Sequence, residues 1–196
     1  MSIFPERMAI VGSGPNERGT NNGKFIDASD KVIRFNNYVV GDKFSNDYGR
    51  RTDYWCRTFC GDIVERAENF ERILIPLPLL DERCPYKYDF NARIYKGLQN
   101  VSFIPVEYFL DLVVIMRNLT GMDGLKPSTG LALLYWVYRE QNNYINPDNV
   151  FGFTFFGTEH ETHHYFSDKK WNRKLFITHN GEAEKLVFDY LSKGKL

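Results

Sequence analysis

Residues Met8 to Asn36 read MAIVGSGPNERGTNNGKFIDASDKVIRFN, an apolar run broken by a glycine turn and followed closely by a second apolar run. Met8 to Val11 has the length and composition of a short buried strand. Gly12-Ser13-Gly14-Pro15 cannot continue it, and Lys31 to Phe35 forms a second strand ending at Asn36. A strand, a glycine turn and a parallel second strand make the corner of an open α/β sheet. Ligands bind there beyond the carboxyl ends of the strands, where a turn without side chains lets backbone N–H groups approach phosphate. The expected fold class is therefore α/β, a single Rossmann-like domain whose mostly parallel central sheet is flanked by helices.

The corner does not spell a dinucleotide site. Its glycines are Gly12, Gly14 and Gly19 rather than G-x-G-x-x-G, and the second strand ends in Asn36-Asn37 instead of an acid that would hold a ribose diol. Composition narrows the choice further. The 196 residues are enough for one domain with a proper core, and the 25 basic residues balance 25 acidic ones. That balance leaves no broad basic footprint for nucleic acid. No apolar run reaches the roughly 18 residues of a membrane span, and residues 1–7 lack the features of a secretion signal, so a soluble chain is expected. Cys56, Cys60 and Cys84 cannot all pair, and Cys56 with Cys60 does not make a metal knuckle. A reducing cytoplasm fits that usage.

Further along, Tyr54 to Arg57 reads as a third strand, preceded by Gly49-Arg50-Arg51-Thr52, whose arginines could meet an anion or remain solvated. The prolines of ILIPLPLL, residues 73–80, exclude a helix and point to a strand leaving the sheet. Val101 to Pro105 is another strand. Val106 to Leu119 carries Phe109, Leu112, Val113 and Met116 at helical spacing, and Gly121 and Gly124 end it. Lys126-Pro127-Ser128-Thr129-Gly130 opens a helix over Leu131 to Glu140, with Ser128 or Thr129 as its cap or as part of an anion site at its start. Asn149 to Phe153 is the next strand, and a last helix spans Glu182 to Leu191. Tyr38 to Asp47 and Leu80 to Gly124 carry the least pattern around the site.

His160, His163, His164 and His179 crowd into the C-terminal part of the chain. Imidazole exchanges a proton near neutrality, so this crowding beside the ligand edge points to chemistry. His160-Glu161-Thr162-His163-His164 also spells H-E-x-x-H, with Glu184 beyond it as a third ligand for zinc. That zinc-dependent hydrolase reading requires one continuous helix. The preceding Phe151 to Gly157 looks instead like a strand and turn.

Taken in order, these blocks resemble glycosyltransferase family 29, the sialyltransferases. AIVGSGP, Ile26 to Asp30 and VIRFN are similar to the family's large motif, and Gly49 to Thr52 to the segment after it. Lys126 to Phe153 resembles the small motif, His164-Tyr165-Phe166 the third motif, and His179 with Glu184 the very small one. Ser13 stands where the family has asparagine, Ser167 replaces an acid with Asp168 adjacent, and Met8 replaces a disulfide cysteine of animal members.

The resemblance implies a soluble bacterial-type enzyme, one glycosyltransferase domain over residues 1–196, with a GT-A-like variant of the fold. Its expected reaction moves sialic acid, or a related acidic sugar, from a CMP-activated donor to a glycan hydroxyl, with inversion and without metal or resident cofactor. Expected catalytic residues are His179 as base and His164 on the leaving phosphate, with His163 its alternate and Tyr165 and Glu184 in support. Ser13, Gly14 and Asn36 are expected on the nucleotide, and Ser128, Thr129, Gly130 and Gly152 on its cytidine side. A nucleotide-binding module without turnover is the other class. The expected location is cytoplasmic, with the basic tail Lys193 to Leu196 able to meet the inner face of a bacterial membrane.

Overall fold

The computed structural model describes residues 2–58, 63–77, 99–156, 162–167 and 179–193. Its centre is a six-stranded sheet in which every neighbouring pair is parallel. The strands are β1 (Met8–Val11), β2 (Lys31–Phe35), β3 (Tyr54–Cys56), β4 (Arg72–Ile75), β5 (Val101–Phe103) and β6 (Val150–Phe151), and their spatial order is β5-β4-β3-β2-β1-β6. Strands β1 to β5 add in one direction, and β6 then returns to the free side of β1. The order reverses between β1 and β6, which is where an open α/β sheet leaves a crevice for ligand.

Period-two alternation divides the side chains of the strands between two helical layers. Met8, Ile10, Ile33 and Phe35 join the larger core with α3 (Val106–Thr120), α4 (Thr129–Glu140) and α5 (Gly181–Ser192). Ala9, Val11 and Val32 face the smaller one, with Ile26 of α1 (Gly23–Asp27) and Tyr48 of α2 (Asp42–Tyr48). Helix α4 is buried around its full circumference from Leu131 to Tyr138, as its nearly unbroken apolar sequence requires. Gly121, left-handed at φ +67°, stops α3 by donating its N–H to the Arg117 carbonyl.

The α/β class, the parallel sheet and the long helices agree with the sequence. Four details differ. Ile26 belongs to the short helix α1 rather than to the pattern of the second strand, and the polar stretch 38–47 contains the start of α2. These helices are five and seven residues long, too short to display a helical period. The last strand contracts to two residues because Pro147–Asn149 forms a 3-10 turn capped by Asn146, and Gly152 then turns to φ +67°. The last helix starts at Gly181, one residue earlier than its pattern indicates, because Asn180 caps it. Of the proline-interrupted run, Pro76 and Leu77 follow β4, and 78–80 lie outside the described residues.

Arg50 and Arg51 stand away from the crevice. Their N–H groups donate to the Asp27 carboxylate at 2.9 Å, and the Arg51 guanidinium bonds the carbonyls of Ser29 and Asp30 at 2.5 and 2.6 Å. They fasten the end of α1 to the entry of β3. The Arg51 guanidinium is thus part of a structural tie, while the Arg50 side chain is 62% exposed, as the solvated alternative expects.

Candidate active site

The crevice begins with three glycines on two adjacent strand ends. Gly12 donates its N–H to the Phe151 carbonyl, and Gly14 to the Gly152 carbonyl, both at 2.7 Å. A β-carbon on Gly12 would overlap the Gly152 carbonyl oxygen, one on Gly14 would lie 2.8 Å from it, and one on Gly152 would lie 2.6 Å from the Gly12 oxygen. Backbone meets backbone here, so no side chain fits. This corrects the reading of the turn as a phosphate cradle at two points: the N–H groups of Gly12 and Gly14 are committed to the carbonyls at the end of β6 and just beyond it. The glycines shape the wall instead.

Glu17 holds that wall from behind. It is 8% exposed, and its Oε1 accepts from the Gly152 N–H at 3.1 Å while Oε2 accepts from the Asn22 amide at 2.9 Å. Asn36 closes the end of β2 with φ +47°, a left-handed conformation that asparagine tolerates. Its Oδ1 accepts from the Thr58 N–H at 2.9 Å. The side-chain NH₂ is therefore the end that it can offer to a ligand.

Two helices point their N-termini at the crevice. Ser128 caps α4, its hydroxyl accepting from the Leu131 N–H at 3.2 Å, and Asn180 caps α5 by accepting from the Ala183 N–H at 3.0 Å. Between them lies Glu184, 2% exposed, whose carboxylate accepts from the Ser128 N–H at 2.8 Å and its hydroxyl at 2.6 Å. Burial pushes the Glu184 carboxyl up to about 7, against the opposing pull of the two Ser128 bonds. Glu184, expected in support of His179, is a buried clamp on Ser128. Two positive helix ends favour an anion in the space before them.

His179 stands at the mouth of α5. Its Nδ1 lies 3.0 Å from the Lys126 carbonyl oxygen, which can only accept, so Nδ1 carries the proton and Nε2 keeps its lone pair. Burial lowers its pKa below 6.5, partly opposed by the Lys126 bond. Glu184 Oε1 is 3.7 Å from Nδ1, beyond hydrogen-bond range. That spacing meets the criterion for an ion pair, yet burial draws both groups toward neutrality, and the pair is better described as neutral than as a salt bridge. His163 and His164 lie with ring centroids 4.2 Å apart. Burial depresses both, His163 to about 4 with His164 adding to the effect.

These groups line one cavity of about 240 Å³. Ser13, Gly14 and Asn36 meet there with Ser128, Thr129, Gly130 and Gly152, and so do His163, His164, His179 and Glu184. Tyr165 alone of the expected residues is not in the lining. It is 1% exposed and stacked on Tyr48 at 3.9 Å, its N–H donates to the Ser13 carbonyl at 2.9 Å, and its hydroxyl is bonded to Val39. Tyr165 thus ties the 162–167 segment to the glycine turn and the loop after β2.

Phe35, Phe153, Thr154, Phe155 and Phe156 also line the cavity, and sequence reasoning passed over them. The run FGFTFF at 151–156 was the available signal, but aromatic residues after a strand usually mean packing. The zinc reading fares poorly on backbone grounds: Thr162–Ser167 forms a bridge, bends and a turn, whereas His160 and Glu161 lie outside the described residues. The i, i+4 face that its chemistry needs has no helix in the described half.

Comparison with known proteins gives a consistent result. The family model for glycosyltransferase family 29 (sialyltransferase) matches residues 6–73. The chain is 24% identical over 203 residues to CMP-N-acetylneuraminate-beta-galactosamide-alpha-2,3-sialyltransferase 2 of Mus musculus, covering 95% of this chain and 54% of that protein. It is 26% identical over 176 residues to sialyltransferase 1 of the same description from Gallus gallus, covering 83% and 48%. The chain spans about half the length of these curated relatives.

A crystal structure of a mammalian sialyltransferase in complex with Gal-beta-1-3GalNAc-ortho-nitrophenol superposes with a TM-score of 0.61 at 19% identity, over 96% of this chain and 66% of that one. A second crystal structure of a mammalian sialyltransferase gives 0.59 at 18% identity with the same coverage. Over residues 6–73 this chain is similar to glycosyltransferase family 29, the sialyltransferases, and its fold is similar to that of the mammalian sialyltransferase structures.

Proposed function

We propose that this chain transfers sialic acid, or a closely related acidic sugar, from a CMP-activated donor to a hydroxyl of a glycan acceptor. The observation that carries the reading is the arrangement at His179. A neutral imidazole is fixed with Nδ1–H on the Lys126 carbonyl and an unprotonated Nε2, in the cavity that also holds the glycine turn and the start of α4. The names of the relatives point to a beta-galactosamide acceptor and an alpha-2,3 linkage, and we carry both to this chain as the expected specificity.

In the proposed reaction the bond from the donor's anomeric carbon to the phosphate oxygen breaks, with the electron pair leaving on CMP. The acceptor oxygen bonds to that carbon from the opposite face, inverting it, and its proton passes to Nε2 of His179. Charge growing on the departing phosphate is met by His164, which stays neutral through burial yet still has an N–H to donate, and by the positive end of α4. Asn36 and Ser13 bind the nucleotide through side-chain polar groups, Gly14 gives it room, and Ser128 to Gly130 with Gly152 flank cytidine. No resident cofactor enters this scheme, and charge stabilisation is assigned to the chain itself rather than to a metal.

The test is incubation with the cytidine donor and a panel of galactose-ended acceptors, scoring transfer and donor hydrolysis separately. Transfer supports the reading. Donor binding without transfer or hydrolysis identifies a silent nucleotide-binding module instead.

A further inference from the structure

We propose that Phe156 is a positioning residue, an aromatic spacer packed against the imidazoles of His179 and His163 that holds the catalytic imidazole in plane and shields it from water. The inference rests on the proposed role of His179, but the spacer geometry is independent of any substrate. The Phe156 ring is parallel to the His179 ring within 2°, at 5.5 Å between centroids, and lies 16° from the His163 ring at 5.9 Å. One ring therefore neighbours both imidazoles.

The backbone is bent to place it there. Phe155 and Phe156 are consecutive residues at φ +46° and +56°, a left-handed conformation that is costly for residues with a β-carbon and is maintained only when the surroundings require it. The surroundings are visible. The Phe155 ring is seated against Phe153 at 5.8 Å and Phe188 of α5 at 5.1 Å. A β-carbon on Gly181, the first residue of α5, would overlap the Phe155 carbonyl oxygen. Glycine at the start of α5 lets the turn lie against the helix, and the core grip on Phe155 sends the next ring into the cavity.

The consequence for His179 is electrostatic as well as steric. The Lys126 carbonyl and charge from the α3–α4 connection and Glu184 from α5 face it, and His163 with His164 from the 162–167 segment line the same cavity. Phe156 supplies an apolar face among them. Without its ring, water reaches the imidazole and the desolvation that keeps it neutral is relaxed.

The experiment titrates His179 by NMR of its ring C–H signals in the ligand-free protein and measures transfer kinetics in parallel, in wild type and in Phe156→Leu, Phe156→Tyr and Phe156→Gly. Phe156→Tyr keeps the plate and should match wild type. Phe156→Leu and Phe156→Gly should move the His179 titration upward, and turnover should drop by about ten- to a hundred-fold with little change in the donor KM. Phe156→Gly also relaxes the left-handed backbone, so it remains informative if Phe156→Leu folds poorly. An unchanged His179 titration in both ring-less variants overturns the proposal. Absence of transfer in wild type would sink the sialyltransferase reading, while the NMR titration still decides the spacer.

Discussion

Glu184 of α5 accepts two hydrogen bonds from Ser128 at the start of α4, one from its N–H at 2.8 Å and one from its hydroxyl at 2.6 Å. Two helix starts far apart in sequence are thus joined by a single buried carboxylate. The join places the α4 cap beside the His179 imidazole, since His179 precedes the Asn180 cap of α5 directly.

Clamping with a buried acid has a signature in stability. The Glu184 pKa rises from 4.5 to about 7 on folding, so between these values the folded protein holds a proton that the unfolded chain has lost. Stability contributed by the protonated form is complete below 4.5 and declines as pH rises to about 7. Urea unfolding at about pH 5 and about pH 8 should show a loss on the order of 3 kcal/mol from this group. Glu184→Gln should remove most of that slope, and an equal slope in both proteins would contradict the assignment.

His179→Ala should lower turnover by about two to four orders of magnitude while the protein stays folded, as loss of a general base does. Because the neutral ring is the base and its pKa lies below 6.5, the wild-type rate should fall as pH drops through that lowered value. Near-normal turnover in a folded variant refutes the role.

Gly12→Ala should destabilise by about 1 to 3 kcal/mol, because the methyl overlaps the Gly152 carbonyl and approaches the Phe153 ring to 2.9 Å. Donor affinity should fall with it. Gly41→Ala is the control: nothing lies within 4 Å of its β-carbon and its φ of 166° suits any residue. That substitution should shift stability by no more than about 0.5 kcal/mol. Paired melting curves distinguish the close-approach account from a general intolerance of alanine.

Chelation addresses the charge stabilisation directly. With His164 and the start of α4 proposed to meet the phosphate, transfer activity should be unaffected by EDTA. Activity abolished by chelator and restored by manganese would replace that part of the mechanism.

Much of the architecture is carried by local pattern. MAIV, a glycine turn and KVIRF specify two adjacent parallel strands, and the apolar run after Ser128 specifies the central helix. The short helices α1 and α2 escape such reading because they are held by contacts of Ile26 and Tyr48 with the smaller core, not by a repeat in their own residues. The contraction of β6 escapes it too, since Gly152 turns in response to Gly12 on the neighbouring strand.

For the site, local chemistry singled out Ser128 as a cap and the histidines as proton exchangers, and the resemblance of the ordered motifs added Asn36 and the roles. Which nitrogen of His179 carries the proton, what Glu184 holds and why Phe156 faces inward depend on partners 53 positions away at Lys126, 56 positions away at Ser128 and at His163 in the 162–167 segment. Hydrogen-bond direction and burial arise only when distant segments meet. The sequence by itself determined the strand–turn–strand corner and the kinds of group around it; tertiary packing decided the protonation, the clamp and the spacer, because each depends on desolvation by residues that are not neighbours in the chain.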